Sequence, residues 1–472
     1  MKAEKKAVSI LLAISMFMMA CGKLRAWGPH SEISFAAINA LPDWEREILS
    51  TVIICDQANL WKKVEAERSL EEWFVRTYCW DPDMQKSFKW NKAFMAWRLP
   101  EEFPDRRALY YYDRDPETGK YIYGQGHKCP YLPIYIKPVF RKALSELNNG
   151  NILEGIKFAG TLAHYLEDVT CPQHAVPIDG EEHDAETIPY NPYNEKIEGY
   201  VPRLLGEDGE TAAQTLCKAT LAGSEEIKPL AGPMTDAMRA NDDVKRYKAG
   251  SAAPTVGAKL VADMLHTVFT LSRERLKKDY DALPLEWQTR KENGPENRFY
   301  KIKRVALKPG RVVLVSLGPD NMGIERLDWT EIAGRPAYST PGGKGANALT
   351  IRFGKGAVMT GILDMIVQEA YVDPKSPPGE LTIQFFSKDK REHRVFYGKD
   401  IMENGRIKKF IFRGGNTALY WMGEIPDGGK WVELKIPAFV MDLSSIEGLQ
   451  FTSCDGPIHL GKTTLVKRRA GQ

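Results

Sequence analysis

Five of the eight histidines of the chain fall between residues 30 and 183, among many aspartates and glutamates. The most informative spacing is that of His164 and Asp168, four residues apart in a segment of helical periodicity. Residues at positions i and i+4 share one face of a helix, so an imidazole nitrogen and a carboxylate oxygen would lie side by side. Zinc accepts both kinds of donor, and the pair therefore indicates a site for a divalent metal ion.

Two further histidines extend this candidate site. Pro172 ends the helix after Asp168, and the chain can then turn His174 back towards the same cavity. His30 lies close to the start of the chain, and Gly160 leaves the helix face open one turn before His164. The same spacing is also typical of a surface histidine–aspartate pair beside a turn, so both interpretations stay open at this point.

The elements that position these residues fall into two regions, which differ in the spacing of their apolar residues. Residues 27–288 carry apolar residues at helical spacing, interrupted by long loops rich in Pro, Tyr and Asp at 101–133 and 177–195, and loops of that length usually carry function. Residues 289–298 are polar and contain Gly and Pro, which indicates a linker. Residues 299–472 hold seven or more short alternating runs between Gly-rich turns, a pattern typical of a β-sandwich or jelly roll. We therefore predict a multidomain protein, with an all-α N-terminal domain and an all-β sandwich accessory domain.

Composition excludes several classes of protein. The hydrophobic fraction of 43%, with 11 Trp, 19 Tyr and 18 Phe, supplies a core and excludes a disordered chain. A mean hydropathy of -0.37 excludes a polytopic membrane protein. The formal charge of +3 comes from the first 26 residues, and the rest of the chain is nearly neutral. We therefore expect no stable complex with nucleic acid.

Residues 1–26 have the pattern of an export signal, with three lysines in the first six residues and then an apolar stretch too short for a comfortable bilayer span. We predict that the protein is exported, either periplasmic or secreted. Cleavage after Ala26 would leave Trp27 as the first residue, whereas residues 18–21 resemble a lipoprotein signal that would end in acylation of Cys21. Six cysteines follow residue 26, which permits disulfides in an exported protein without giving their pairing.

Three segments carry a resemblance to a known family. LAHYLEDVTCPQHA at 162–175 resembles the LHYLGDxxxPxHA signature of the bacterial zinc-dependent phospholipases C, which the fungal single-strand nucleases share. WGPHSEIS at 27–34 is similar to the start of the mature nucleases, and YYYDRDPETGKYI at 110–122 resembles a loop of the phospholipases. The resemblance covers roughly residues 27–285 and implies a helical domain with zinc ions at the bottom of a cleft.

The resemblance implies a cluster of up to three zinc ions. One ion would be bound by the free α-amine and carbonyl oxygen of the first mature residue, and Asp56 would lie near a bridging water. The central histidine and the bridging aspartate of the family correspond to His164 and Asp168. The implied ligands are Trp27, His30, Asp56, His164, Asp168 and His174.

The chain departs from the family at two positions. Tyr110 stands where the family has a zinc-binding histidine, and His127 in the same loop is the candidate replacement. Asn194 stands where a second histidine is expected, so His183 is the candidate imidazole there, with Glu198 as its carboxylate partner. With these departures we expect three zinc ions or fewer.

The chemistry implied is hydrolysis of a phosphoester. Clustered zinc ions neutralise the charge that gathers on phosphoryl oxygens and lower the pKa of a bound water to about 7. Asp56 is the candidate catalytic residue, because a carboxylate there could orient that water or accept its proton. The resemblance thus implies an exported zinc-dependent phosphodiesterase that acts on a phospholipid head group or a nucleotide phosphodiester. We expect a monomer.

The C-terminal region allows a second interpretation of the whole chain. GKWVELKIP at 429–437 and IEGLQF at 446–451 resemble jelly-roll domains of the galactose-binding-like type, which often bind glycans or surfaces. Trp329, Trp421 and Trp431 are candidates for a sugar platform, with core packing as the alternative. The chain would then be a non-catalytic relative with a partial metal site, acting as a surface glycan-binding protein.

Overall fold

The computed structural model changes character near residue 285, with helices before that point and strands after it. The residues it describes are 30–59, 64–79, 112–114, 121–123, 133–176, 197–240, 242–291, 299–305, 313–316, 330–352, 358–359, 364–386, 392–399, 401, 417–438 and 445–467.

The helices are numbered here along the chain. They are α1 (His30–Ala40), α2 (Asp43–Thr51), α3 (Leu70–Trp73, continued by a π-helical turn Phe74–Tyr78), α4 (Pro133–Asn148), α5 (Ile152–Val169), α6 (Gly209–Ile227), α7 (Ala231–Arg239), α8 (Asp243–Gly250), α9 (Ala252–Leu271) and α10 (Arg273–Asp281), with a 3₁₀ turn at Pro172–His174.

The strands are numbered in the same way. They are β1 (Val52–Asn59), β2 (Val64–Ser69), β3 (Tyr112–Arg114), β4 (Tyr121–Tyr123), β5 (Gln288–Lys291), β6 (Phe299–Arg304), β7 (Val313–Ser316), β8 (Thr330–Ile332), β9 (Arg335–Ser339), β10 (Ala346–Arg352), β11 (Val358–Met359), β12 (Met365–Val372), β13 (Glu380–Phe386), β14 (Glu392–Gly398), β15 (Thr417–Gly423), β16 (Trp431–Pro437), β17 (Ser445–Ile446), β18 (Gly448–Cys454) and β19 (Ile458–Lys467).

Helix α5 is the centre of the helical part. All of its residues are buried, and α4, α9 and the π-helical turn after α3 pack against it. A helix that is enclosed on every side needs apolar residues on all faces. The sequence of α5 meets this requirement except along one polar stripe, which holds the candidate site.

A four-stranded sheet lies beside the helices, in the order β2-β1-β6-β5. Ile54 of β1 faces Ile302 of β6, and both side chains are fully buried. The sequence predicts helices separated by long loops over 27–288 and a linker at 289–298. The structure differs, because β1 and β2 lie within the region predicted to be all-α, and β5 and β6 carry the chain on either side of 292–298 into a sheet with β1. The domain boundary stays a prediction, and the structure adds that this sheet joins residues from both sides of it.

The C-terminal part is a sandwich of two sheets. One has the order β10-β18-β13-β14-β15 and the other the order β16-β12-β19-β9-β8, with β7 also paired to β19. Strand β12 buries every second residue, as expected for a strand with one face in a core. Tyr338 of β9 contacts Phe451 of β18 across the core, with ring centroids 6.3 Å apart. The predicted fold class, a helical N-terminal part followed by a β-sandwich, is confirmed.

Helix α8 contacts the sandwich through an aromatic pair. Tyr247 stacks on Trp421 of β15 with ring centroids 6.0 Å apart, and Phe396 and Met234 are buried in the same small cluster. Trp431 lies in the other sheet and donates from Nε1 to the carbonyl of Ile332. Trp421 and Trp431 thus lie in different sheets and pack against different residues. Trp329 lies outside the described residues. Glycan binding stays a prediction.

Within the described ranges, none of the helices combines the length and the apolar character needed to cross a bilayer.

A buried carboxyl–imidazole pair joins α2 to α9. Glu45 is fully buried, and its Oε1 lies 2.7 Å from Nδ1 of His266. Burial raises the pKa of Glu45 to about 9, an effect partly offset by the charge of Arg273. Burial also lowers the pKa of His266. Both shifts favour the neutral form of each group, and the hydrogen bond between them joins the two helices.

This pair predicts a specific pH dependence of stability. Between the ordinary glutamate pKa and about 9, the unfolded chain has lost the proton that folded Glu45 retains, so stability falls as pH rises through that window. Glu45→Gln removes the titration and keeps a hydrogen-bonding group. We expect the melting temperature of the variant relative to wild type to rise between about pH 5 and about pH 8.5. Glu274→Gln, at an exposed position of α10, is the control, and equal pH responses of the two variants would contradict this prediction.

Candidate metal centre

The polar stripe of α5 contains the candidate metal ligands. Its members are Glu154, Lys157, Thr161, His164 and Asp168, at alternating spacings of three and four, which places them on one face of the helix. All five are buried, although histidine and charged residues are seldom fully enclosed without a partner. The surrounding elements must therefore supply partners for each of them.

Three imidazoles converge on the carboxylate of Asp168. Nε2 of His164 lies 3.1 Å from Oδ2, and Nε2 of His30 lies 3.5 Å from Oδ1. Nδ1 of His174 lies 3.8 Å from Oδ1. The rings of His30 and His164 stack with centroids 4.2 Å apart, so their Nε2 atoms approach the carboxylate together. Helix α1, helix α5 and the 3₁₀ turn each supply one imidazole.

The other ring nitrogen of two of these histidines is held by a buried acceptor. Nδ1 of His30 donates to Oε2 of Glu167 over 2.7 Å, and Nδ1 of His164 donates to the backbone carbonyl of Cys79 over 2.8 Å. Oε1 of Glu167 also accepts a hydrogen bond of 2.6 Å from Ser34. With Nδ1 protonated in both neutral rings, the lone pair is on Nε2, the atom that faces Asp168.

A glycine allows the Cys79 carbonyl to reach His164. A Cβ at Gly160 would lie 2.3 Å from Cβ of Tyr78, so only glycine lets the π-helical turn pack this closely against α5. The sequence predicts that Gly160 leaves the helix face open one turn before His164. In the structure, Tyr78 of the neighbouring π-helical turn occupies that space. Gly257 of α9 plays a similar part, because its Cβ would lie 2.5 Å from Oγ1 of Thr170.

Two titratable groups near the site, Glu32 and Cys79, add little negative charge to it. Burial raises the pKa of Glu32 to about 8, so this carboxyl is largely protonated at neutral pH. Burial also raises the pKa of the Cys79 thiol, and the charge of Glu167 adds to the shift. Cys79 therefore serves the site through its carbonyl and keeps a neutral side chain.

The donor set fits one divalent ion. One ligand atom from each of His30, His164 and Asp168 lies within 4.8 Å of the others, and all three residues are buried. Donors at about 2.0–2.2 Å from a tetrahedral zinc lie roughly 3.3–3.6 Å apart. Nε2 of His164 lies 3.1 Å from Oδ2 of Asp168 and Nε2 of His30 lies 3.5 Å from Oδ1, and both separations are close to that spacing. His174 is not in this group of three, although its Nδ1 lies 3.8 Å from Oδ1 of Asp168.

Asp56 lies on strand β1 and contacts the polar stripe of α5 away from His164 and Asp168. Its Oδ2 is 3.6 Å from Nζ of Lys157, which is also 3.4 Å from Oε1 of Glu154. Lys157 precedes His164 by two helical turns, or about 10 Å of rise. The structure therefore brings an ammonium group to Asp56, where the family resemblance implies a metal ion. Its role as a ligand and catalytic residue stays a prediction.

Among the remaining candidate ligands, only Glu198 lies within the described residues. Glu198 is exposed in the turn that precedes Tyr200. Trp27, His127 and His183 lie outside the described residues, as do Tyr110 and Asn194. Their assignments stay predictions, and so does the number of zinc ions.

Sequence reasoning missed the groups that orient the imidazoles. Glu167 directly precedes Asp168, and adjacent side chains of a helix point in different directions. Spacing of i and i+4 from His164 therefore selects Asp168 and not Glu167. One signal was present: His30 and Ser34 are also four residues apart, and both bond Glu167 from one face of α1. A backbone carbonyl such as that of Cys79 leaves no signal in side-chain identity.

Comparison with known proteins adds little at the level of sequence. No protein-family model matches the chain, and no curated protein matches it. Among solved structures, alpha-toxin from Clostridium absonum aligns at 12% identity over 95% of this chain and 100% of the toxin, with a TM-score of 0.28. Alpha-toxin from the avian strain SWCP of Clostridium perfringens aligns at 10% identity over 93% and 98%, with a TM-score of 0.25.

The position of Glu167 predicts an effect on metal affinity. Glu167→Gln keeps the size of the side chain but removes the charge that makes the His30 imidazole a stronger ligand. We expect zinc affinity, measured by competition with a chromophoric chelator, to fall by about tenfold or more. Glu154→Gln is the matched control, because it is a buried glutamate of the same helix that contacts Lys157 instead. Equal zinc affinities for the two variants would rule out this role of Glu167.

Proposed function

We propose that the protein is an exported zinc-dependent phosphodiesterase, similar in chemistry to a phospholipase C or a single-strand nuclease. The observation that carries the proposal is the convergence of three imidazoles on the buried carboxylate of Asp168. A surface histidine–aspartate pair, the alternative interpretation of the spacing, would be exposed and would not require two further imidazoles from other parts of the chain, whereas His164 and Asp168 are buried beside His30 and His174.

The orientation of Asp168 supports more than one ion. Its two carboxylate oxygens face different histidines, Oδ2 towards His164 and Oδ1 towards His30 and His174. A carboxylate shared between two metal ions needs this arrangement, in which each oxygen has its own set of neighbours. The candidate ligands outside the described residues, Trp27 among them, would complete the second and third ions.

Some residues of the site would bind the metal ion, and others keep the ligands oriented. A bound zinc would stabilise negative charge on a phosphoryl oxygen and supply a nucleophile near neutral pH. His30 and His164 offer Nε2, Asp168 offers its carboxylate, and Glu167 keeps the His30 ring oriented. His174 lies at the end of α5, and its side chain is the least enclosed of the four candidate ligands. We place the substrate phosphate on that side, because the other ligands are covered by helices.

The alternative function is that of a non-catalytic relative that keeps one structural zinc. One observation favours it: Lys157 occupies the position beside Asp56, and an ammonium there competes with a metal ion for the carboxylate. In that case the protein would act through its sandwich, as a surface glycan-binding protein.

Metal content and hydrolysis separate these two functions. We expect plasma mass spectrometry of exported, processed protein to find at least two zinc ions per chain, with a loss in His164→Ala. Hydrolysis of p-nitrophenylphosphorylcholine or of single-stranded DNA should fall by at least about a hundredfold in the same variant. His459→Ala, in the sandwich, is the control for the loss of a histidine. One zinc or none, together with no hydrolysis of either substrate, would refute the phosphodiesterase and lead to glycan-binding screens.

The mature N-terminus gives an independent test of the full metal cluster. We expect cleavage after Ala26, because the resemblance to the nucleases requires a free α-amine on Trp27, three residues before His30. Intact-mass spectrometry of protein purified from a bacterial host should then give a chain that begins at Trp27. A chain that begins at an acylated Cys21 would leave Trp27 without that amine and limit the cluster to fewer ions.

A further inference from the structure

A pocket of about 610 Å³ lies where helix α8 meets the sandwich. Lys248 and Ser251 line it from the end of α8, and the sandwich supplies two runs of consecutive residues, 421–424 and 432–435. The first run is the end of β15 and the beginning of its following turn, and the second is the middle of β16. None of these residues belongs to the candidate metal centre.

The consecutive runs show which part of the strands is presented. Successive side chains of a strand point to opposite faces, so a pocket over the face of a sheet is lined by every second residue. Four successive residues of β16 line this pocket, so it follows the edge of the strand, where backbone N–H and C=O groups point. The inner edge of β16 pairs with β12, and β16 ends its sheet. Among the described strands, none pairs with its outer edge.

The opposite wall is rigid. Strand β15 ends the other sheet, and Trp421 within it donates from Nε1 to the carbonyl of Gly398 over 3.0 Å. The same ring stacks on Tyr247 of α8. Lys248, one residue further along α8, forms an ion pair with Glu424 across the junction. The edge of β16 therefore lies in a preformed recess between two sheets and a helix.

We propose that this recess binds an extended segment of a partner protein, which adds as an antiparallel strand to the outer edge of β16. Strand addition to an open edge is a common mode of peptide recognition, and backbone hydrogen bonds supply much of its affinity. The four lining residues of β16 correspond to about 13 Å of extended chain, or roughly four residues of the partner.

The charges of β16 define the chemistry of that segment. Glu433 and Lys435 are exposed on one side of the strand, and Leu434 between them is buried. In an antiparallel pair, opposite residues share a face, so a basic residue must face Glu433 and an acidic residue must face Lys435. Because the partner runs the other way, its order from N- to C-terminus is acidic, apolar, basic. A second copy of β16 has this order too, but its edge is equally recessed, which favours a separate peptide segment.

Exchange of charges tests the proposal on the full-length protein. The probe is a fluorescein-labelled peptide with the sequence of residues 429–437, which itself reads acidic–apolar–basic, and a second peptide has its Glu433 and Lys435 equivalents exchanged. The protein variant carries Glu433→Lys together with Lys435→Glu, both at exposed positions. By fluorescence anisotropy, we expect wild type to bind the first peptide and the variant to bind the second, with each mismatched pair about tenfold weaker or more.

Further measurements keep each outcome decisive. Circular dichroism melting confirms that the variant is folded. The first peptide with N-methylated backbone amides at its three central residues should lose binding, because it cannot donate to the strand. Absence of binding to folded wild type, equal affinity in all four combinations, or undiminished binding of the N-methylated peptide would each overturn the proposal. Sedimentation showing that the chain dimerises with its own kind, but that wild type does not pair with the variant, would assign the edge to a second copy instead.

Discussion

Two adjacent carboxylates, Glu167 and Asp168, are buried at the centre of the helical part, and the surrounding structure is arranged around the cost of enclosing them. An ionised carboxylate in an apolar interior is strongly unfavourable unless it is paired and hydrogen-bonded. Glu167 accepts from His30 and Ser34, which fixes the position of α1 against α5. Asp168 is surrounded by imidazole nitrogens whose lone pairs face it, and a divalent cation between them would be bound by both kinds of donor.

Buried charged side chains that need partners occur along the whole length of helix α5. Its polar stripe holds Asp168 and His164 near the C-terminal end, with Lys157 about two turns earlier and Glu154 about three. The same buried face therefore has one end with the candidate metal ligands and another end where an ammonium group lies beside carboxylates. Close packing is needed to seal such a face, and the absence of a side chain at Gly160 provides it by admitting the backbone of the neighbouring turn. Packing and electrostatics of the site therefore depend on the same contacts.

The junction with the sandwich provides a second, separate place for recognition. The stacking of Tyr247 on Trp421 brings α8 beside the terminal strands of both sheets, and the recess along β16 exists only because the two parts meet there. Under the two proposals, the metal centre would perform the chemistry and the recess would select a partner. The two share no residues, so substitutions at Glu433 and Lys435 can change partner binding while the metal ligands stay intact.

The sequence by itself determined the local patterns. The i, i+4 spacing gave His164 and Asp168, the proline break gave His174, and the alternating runs after residue 299 gave the sandwich, because helical and strand periodicity are properties of neighbouring residues. Tertiary structure alone decided which distant groups meet. Glu167 and the Cys79 carbonyl orient the imidazoles, Lys157 lies beside Asp56, and β5 and β6 join the sheet of β1. These contacts link residues up to about 250 positions apart, and they form because buried charges and strand edges require partners that no short segment can supply.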